Sequence, residues 1–376
     1  MRQHVVGSRT VNAMLSTVAA YVHDLDPFAL RLWGNVGIRW YGLSYLVGFL
    51  IAYWLIRRVV AVGVSSLTKP RAADLIVALA IGTVLGGRLG YVLFYKPSMF
   101  WQFSASFPFW DLLAINKGGM ASHGGMAGAI LGCIYYARRG RHRVAHILDL
   151  AAFATPVGLC IGRFANFVNG ELYGRTCDPD LPWAVKFPQE MFHWLPGESD
   201  RMNALQEAVD LIAADGAGAR LNLQAWVGQA IEAIQQGNQQ VVLILAPHLT
   251  ARHPSQIYQA LLEGLAVFVV LATLWWHPRR PGVVGGAFLA SYAMMRCVGE
   301  LFRQPDEHIQ HMEAQMLNLS RGQLLSLPVL VAGVWMMWHF GRKPTEPMGG
   351  LVRGSDEATP MKSGQAPRRS DEGGAA

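Results

Sequence analysis

The segment Gly162-Arg-Phe-Ala-Asn-Phe-Val-Asn-Gly-Glu-Leu-Tyr-Gly174 closes a long apolar stretch with an arginine, two asparagines and a glutamate. Within a bilayer such a cluster is costly. A charged side chain at the hydrocarbon centre costs on the order of 3 kcal/mol even on lenient insertion scales, so intramembrane charges line cavities and mark sites. Guanidinium grips phosphate oxygens bidentately and stays charged, which points to anion chemistry. Other apolar stretches place Tyr41, Arg88, His123, His253, Tyr258, Glu263, Tyr292, Arg296, Glu300 and Arg303 in the same layer. Residues 292, 296, 300 and 303 step by four, four and three, one polar stripe about 80° wide on a helix. Gly170 is expected to end the preceding helix, so that Glu171 turns back over Arg163, Asn166 and Asn169. Ion pairs such as Arg296 with Glu300 and Arg163 with Glu171 could instead serve only to hold helices in register. The convergence of arginines, a histidine and carboxylates in one leaflet favours a site, and its excess positive charge suits an anionic lipid headgroup. The run Gly118-Gly-Met-Ala-Ser-His-Gly-Gly125 lets backbones approach closely around His123. That makes His123 a candidate general base.

The elements that must position these residues are membrane spans. The 376 residues are 52% hydrophobic and only 15% charged, which describes a polytopic membrane protein rather than a soluble enzyme. Seven transmembrane helices are read at about 40–56, 72–95, 118–137, 145–168, 257–276, 283–302 and 323–340. The fold class is therefore an all-α polytopic membrane protein with a small outer head between helices four and five. The net charge of +7 does not mark nucleic acid, because the basic residues collect in alternate loops. Arg57, Arg58, Lys69 and Arg71 follow span one, Arg138, Arg139, Arg141 and Arg143 span three, and Arg279 and Arg280 span five. The positive-inside rule then puts the N-terminus outside and the C-terminus in the cytoplasm, with the polar cluster in the outer half of the membrane. Asp74 and Asp149 fall near cytoplasmic ends, where solvated carboxylates are expected.

Residues 1–39 read as an N-terminal extension with an outer interfacial helix at about 12–33. Residues 40–340 form the transmembrane domain, with an extracytoplasmic head insert at 170–254. In the head, helices are expected near 200–214 and 222–237, separated by Asp215, Gly216 and Gly218, and it reads as too small for a large core of its own. Residues 341–376 read as a disordered cytoplasmic tail. Cys133, Cys160 and Cys297 lie in spans and only Cys177 faces outside, so neither a disulfide framework nor metal-ligand spacing is implied.

The Gly162–Gly174 segment resembles the signature of the bacterial phosphatidylglycerol–prolipoprotein diacylglyceryl transferase family. Supporting matches are Arg39-Trp40-Tyr41-Gly42-Leu43, Gly86-Gly87-Arg88-Leu89-Gly90-Tyr91, the glycine run around His123, and His253-Pro254-Ser255-Gln256-Ile257-Tyr258. Arg296 with Glu300-Leu301-Phe302-Arg303-Gln304-Pro305-Asp306 completes the set, which covers about residues 33–340 in order. Three features depart from the pattern: the long region 189–250, Gln259 where a glutamate is common, and the two chain ends.

The resemblance implies an inner-membrane enzyme whose partners are phosphatidylglycerol and prolipoprotein lipobox peptides. The lipobox thiol attacks the glyceryl carbon, a thioether-linked diacylglyceryl group forms, and glycerol 1-phosphate leaves. No metal or soluble cofactor is required. On this resemblance Arg163 and Arg296 take the phosphate, His123 is the base, and Tyr41, Asn166 and Glu171 orient headgroup or thiol. Glu300 positions Arg296, and Arg88, Asn169, Gly174, Tyr292 and Arg303 complete the lipid site. A phosphotransferase would need paired metal-binding aspartates and an intramembrane serine protease a Gly-x-Ser-Gly site, neither of which stands in a span. The alternative from another class is an anionic phospholipid transporter or flippase, which would need a second polar layer toward the cytoplasm.

Overall fold

A computed structural model of the chain describes residues 20–33, 36–62, 64–105, 108–114, 118–212, 222–304 and 319–352. A helix stands at each of the seven apolar segments. These are α1 (Trp40–Ala61), α2 (Arg71–Phe94), α3 (Ser122–Arg139), α4 (Val144–Val168), α8 (Ser255–Leu274), α9 (Val283–Gly299) and α10 (Arg321–Arg342). Between α4 and α8 lie α5 (Ser199–Ile212), α6 (Leu223–Gln235) and α7 (Gln239–Leu245). Among the described residues five helices, α1, α2, α4, α8 and α10, are long and apolar enough to cross a membrane, while α9 is apolar but has 17 residues. The chain is a mostly helical, polytopic membrane protein. Large apolar side chains such as Trp54 on α1 and Val331 on α10 are exposed, as befits helices whose outer face meets lipid.

The apolar core gathers at the end of the bundle away from the α4–α8 insert. Ile56, Leu75, Ile147, Phe153, Leu271 and Trp275 are fully buried there, from the end of α1, the start of α2, the start and middle of α4 and the end of α8. The opposite end carries the polar layer. Helices α2 and α3 meet along glycines: a Cβ on Gly86 would lie 2.3 Å from the Gly124 carbonyl oxygen, so only glycine permits this approach. A capping box starts α10, with the Ser320 hydroxyl accepting from Gln323 N and the Gln323 side chain accepting from Ser320 N.

Five expectations need correction. The region around residue 30 is not a helix, and residues 12–19 lie outside the described residues. Strand β2 (Phe28–Trp33) pairs antiparallel with β3 (Val36–Arg39). Asp26 accepts from the backbone N–H of Phe28 and from the Arg31 guanidinium, local bonds that compete with the helical ladder. The fold is accordingly not all-α: β1 (Tyr21–Val22), β4 (Val185–Lys186) and β5 (Ala251–Arg252) form a small sheet in the order β1-β4-β5, the first pair parallel and the second antiparallel. Asp149 is not solvated. It is buried, and its two oxygens accept from Gly282 N and Gly285 N at 2.7 Å, satisfying free donors at the start of α9.

The segment after α10 is also ordered as far as Val352. Met348 pairs with Arg279, Trp275 Nε1 donates to the Met348 carbonyl at 3.0 Å, and Leu351 packs on the core. Gly349 and Gly350, both at positive φ, let this segment close over Trp275. Residues 353–376 lie outside the described residues. Finally, the insert has an apolar cluster of its own. Leu205 and Val209 of α5, Val227 and Ile234 of α6 and Val241 and Leu245 of α7 are buried together against Met191 and Trp194. The two helices expected there stand at Ser199–Ile212 and Leu223–Gln235, and the turn between them falls outside the described residues.

Candidate active site

Helix α4 ends at Val168, and the chain then reverses. Gly170 adopts φ +67°, its N–H donates to Phe167 O, and Glu171 N donates to Asn166 O. This is the six-to-one and five-to-two pattern of a Schellman ending, which the glycine makes possible. Glu171 is thereby turned back, and its carboxylate accepts from Asn166 Nδ2 at 2.7 Å and, more distantly, from Asn169 Nδ2 at 3.4 Å. The start of α8 holds the turn from the other side: Gln256 Nε2 donates to Glu171 O at 2.6 Å and Ser255 Oγ to Leu172 O at 2.9 Å. The turn that carries the acid is therefore pinned at both ends.

The arginines meet on a residue to which the sequence assigned no role. Glu263 lies on α8 within a π-helical stretch, Ala260–Ala266, and its side chain is wholly buried. Its two oxygens are shared out: Oε2 takes Arg163 at 3.1 Å and Oε1 takes Arg296 at 3.0 Å. Arg296 also meets Glu300 at 3.0 Å, and Glu300 meets Arg303 at 3.6 Å. A single carboxylate from α8 thus sets guanidiniums from α4 and α9 side by side. Arg163 pairs with Glu263 rather than with Glu171, because the ending of α4 commits Glu171 to the asparagines. The signal for Glu263 was there to be read, since a carboxylate alone inside an apolar helix calls for a partner. π-helical turns in α-helices recur at functional sites.

Among the described residues the cluster sets three guanidiniums (Arg163, Arg296, Arg303) against three carboxylates (Glu171, Glu263, Glu300). Any affinity for an anion would therefore come from donors left over rather than from surplus charge. A guanidinium has five N–H donors. Arg163 and Arg296 each donate one hydrogen bond to Glu263 among the described residues, Arg296 is also ion-paired with Glu300, and both side chains are partly exposed. Two adjacent, fixed guanidiniums with donors to spare have the chemistry to hold a phosphate. Tyr292 on α9 lies within electrostatic range of Glu263, Arg296, Arg163 and Glu300. Tyr41, at the start of α1, lies within range of Glu171 and Arg163 and accepts a bond from Tyr45 at 3.4 Å.

Arg88 is not part of this network. It is buried, and all five of its donors go to backbone carbonyls of the α2–α3 connection: Asp111, Leu112, Ala114, Gly118 and Gly119. No donor is left for a lipid phosphate, so Arg88 fixes the loop that leads into α3. His123, in the first turn of α3, is exposed, and its side chain makes no hydrogen bond among the described residues. Gly174 has no side chain to offer, and its role is spatial. A Cβ there would lie 2.4 Å from His253 O and 2.6 Å from Phe302 O, between the starts and ends of two helices. The structure thus brings Arg163, Asn166, Asn169, Glu171, Arg296, Glu300, Arg303, Tyr41 and Tyr292 to one end of the bundle around Glu263.

Residues 27–339 match the family model described as prolipoprotein diacylglyceryl transferase. The phosphatidylglycerol–prolipoprotein diacylglyceryl transferase of Bdellovibrio bacteriovorus is 45% identical over 347 residues, covering 89% of this chain and 97% of its own. The proteins of the same name from Ralstonia pickettii and Escherichia coli are 38% and 37% identical, covering 85% and 87% of this chain and 95% and 98% of theirs. On the extent of these matches, the chain belongs to the prolipoprotein diacylglyceryl transferase family.

Proposed function

We infer that this protein transfers the diacylglyceryl group of phosphatidylglycerol to the lipobox cysteine of prolipoproteins. The observation that carries the reading is the pair of guanidiniums, Arg163 and Arg296, fixed on one buried carboxylate with donors unspent. In the reaction the cysteine sulfur forms a bond to the glyceryl carbon as that carbon's bond to the phosphate oxygen breaks. The thiol proton leaves, and the phosphate departs as glycerol 1-phosphate with one more negative charge. Charge develops on the leaving oxygen, where fixed donors stabilise the transition state more than the ground state. A free thiol titrates near about 8.5, so a base assists at neutral pH. His123 is the candidate: it is exposed and carries no competing bond among the described residues. Asn166, Asn169, Glu171, Tyr41 and Tyr292 orient headgroup and thiol, Glu300 positions Arg296, and Arg303 extends the cationic edge.

All seven helices are placed across the bacterial inner membrane in this reading, α3 and α9 being the less apolar and the shorter of the set. The N-terminus and the insert lie outside and the C-terminus in the cytoplasm, supported by Arg57 and Arg58 ending α1 and Arg138 and Arg139 ending α3. The transporter alternative loses ground because Asp149, half of its inner polar layer, is spent on the start of α9.

The test is transfer by purified protein in detergent, with phosphatidylglycerol and a lipobox peptide, scored for thioether-linked product and released glycerol phosphate. Product that vanishes with a Cys→Ser peptide supports the transferase. Lipid binding without product moves the reading to transport. In the same assay His123→Ala is expected to lower kcat by about 100-fold, and wild-type turnover by that variant removes His123 as base.

A further inference from the structure

Arg252 lies outside the cluster yet touches two of the segments that border it, the turn after Glu171 and the end of α9. Its Nε donates to Glu190 Oε2 at 3.0 Å, an ion pair with both side chains largely buried. Glu190 belongs to the insert, and its other oxygen accepts from Thr250 N at 2.8 Å, which fixes the carboxylate. From the same guanidinium Nη1 donates to Gly174 O at 3.4 Å and to Gln304 Oε1. The face of the guanidinium lies 4.8 Å from the centre of the Tyr173 ring. Three separate stretches of chain therefore converge on one side chain: the turn after Glu171, the end of α9 next to Arg303, and the insert.

Backbone pairing shows what this convergence holds. Gly174 N donates to His253 O and Arg175 N to Phe302 O, and Gly174 bridges to Arg303. Residues 171–176 thus form a strap threaded between the start of α8 and the end of α9. One end of the strap carries Glu171, and the other abuts Arg303, whose partner Glu300 holds Arg296. A shift of the strap would move Glu171 against the arginine pair, while Arg163 and Arg296 would stay anchored on Glu263.

We propose that Arg252 is a positioning residue for the transfer reaction, which pins the strap and so sets the placement of Glu171 relative to the phosphate-binding arginines. This inference rests on the transferase reading. It is separable from it, because wild-type turnover tests the reading and the variants test the residue. Arg252→Ala, Arg252→Lys and Glu190→Gln are compared in the full-length protein, each normalised to the folded fraction from thermal unfolding. The readouts are kcat, and KM for phosphatidylglycerol and for a lipobox peptide.

Arg252→Ala is expected to lose about 100-fold in kcat, the scale of a misplacement near 1 Å, with KM for the lipid within about twofold. Arg252→Lys keeps the charge but not the fork that reaches Glu190 and Gly174 together, and recovers part of the loss. Glu190→Gln keeps an oxygen for Thr250 N and weakens only the ion pair, so it folds and lowers kcat by about threefold to tenfold. Wild-type kcat per folded molecule in these variants overturns the proposal, as does a raised lipid KM at unchanged kcat. If neither Arg252 variant folds, Glu190→Gln decides by the same criteria.

Discussion

Arg88 and the pair Arg163 with Arg296 are all arginines inside apolar helices, and from the sequence they look alike. Arg88 faces neutral carbonyls and spends every donor on them, whereas Arg163 and Arg296 share the Glu263 carboxylate, Arg296 meets Glu300 as well, and both keep most of their donors. The first arrangement is a closed structural clamp on the loop before α3. The second is open. Charge at membrane depth marks a place where structure or function has compensated a cost, and the partner set tells which. A guanidinium saturated by backbone has no capacity for a ligand. One whose charge is balanced by a carboxylate, with N–H groups to spare, can exchange water for phosphate at little reorganisation.

The comparison can be broken by substitution. Arg163→Ala or Arg296→Ala is expected to lower kcat/KM for phosphatidylglycerol by about 1,000-fold, measured on purified protein, and retention of activity in both removes the phosphate role. Glu263→Gln leaves two guanidiniums without their shared charge. It should lower kcat by about tenfold and the unfolding temperature as well, because removing one partner of a buried ion pair costs about 3–5 kcal/mol. Arg88→Lys has three donors where five are used, and several charged hydrogen bonds are lost at about 1.5–3 kcal/mol each. Its expected signature is a lower unfolding temperature with KM for the lipid unchanged within about twofold. A specific rise in lipid KM would make Arg88 part of the binding site after all.

The smallest expected effect is one of pH. His23, ahead of α1, is buried against Phe167 and Phe187 and holds the Phe167 carbonyl at 2.7 Å, so it too braces the end of α4. Burial pushes its imidazole below the ordinary 6.5. As pH falls through 6.5 the unfolded chain takes up the proton before the folded one, so stability present at neutral pH drains away toward the lower folded value. Wild-type protein should lose unfolding temperature on acidification below about pH 6.5, and His23→Gln should show a flatter profile over that range.

Much of this was legible in the sequence. The seven apolar segments gave helices at nearly the positions read, since length and hydropathy dominate in such segments. Gly170 announced the reversal that returns Glu171 to the asparagines, and the four-four-three spacing put Arg296, Glu300 and Arg303 in mutual reach. What stayed hidden depends on contacts distant in sequence. Glu263 and Arg163 are a hundred positions apart, and helical angles alone proposed the nearer Glu171 instead. Arg88 could not be told from a ligand-binding arginine without the loop it clamps, nor Asp149 from a solvated acid without the start of α9. Around residue 30, Asp26 overrode a composition that reads as an interfacial helix, and the close packing of α5, α6 and α7 gave the insert a core that its length did not promise.

In the proposed function the Glu263-bridged arginines, and not Arg88, receive the lipid phosphate. The most direct test of this is calorimetric binding of a short-chain phosphatidylglycerol to wild-type, Arg163→Ala and Arg88→Lys protein in detergent. Wild type and Arg88→Lys are expected to bind the lipid and Arg163→Ala to lose that binding. Binding retained by Arg163→Ala and lost in Arg88→Lys would contradict this assignment.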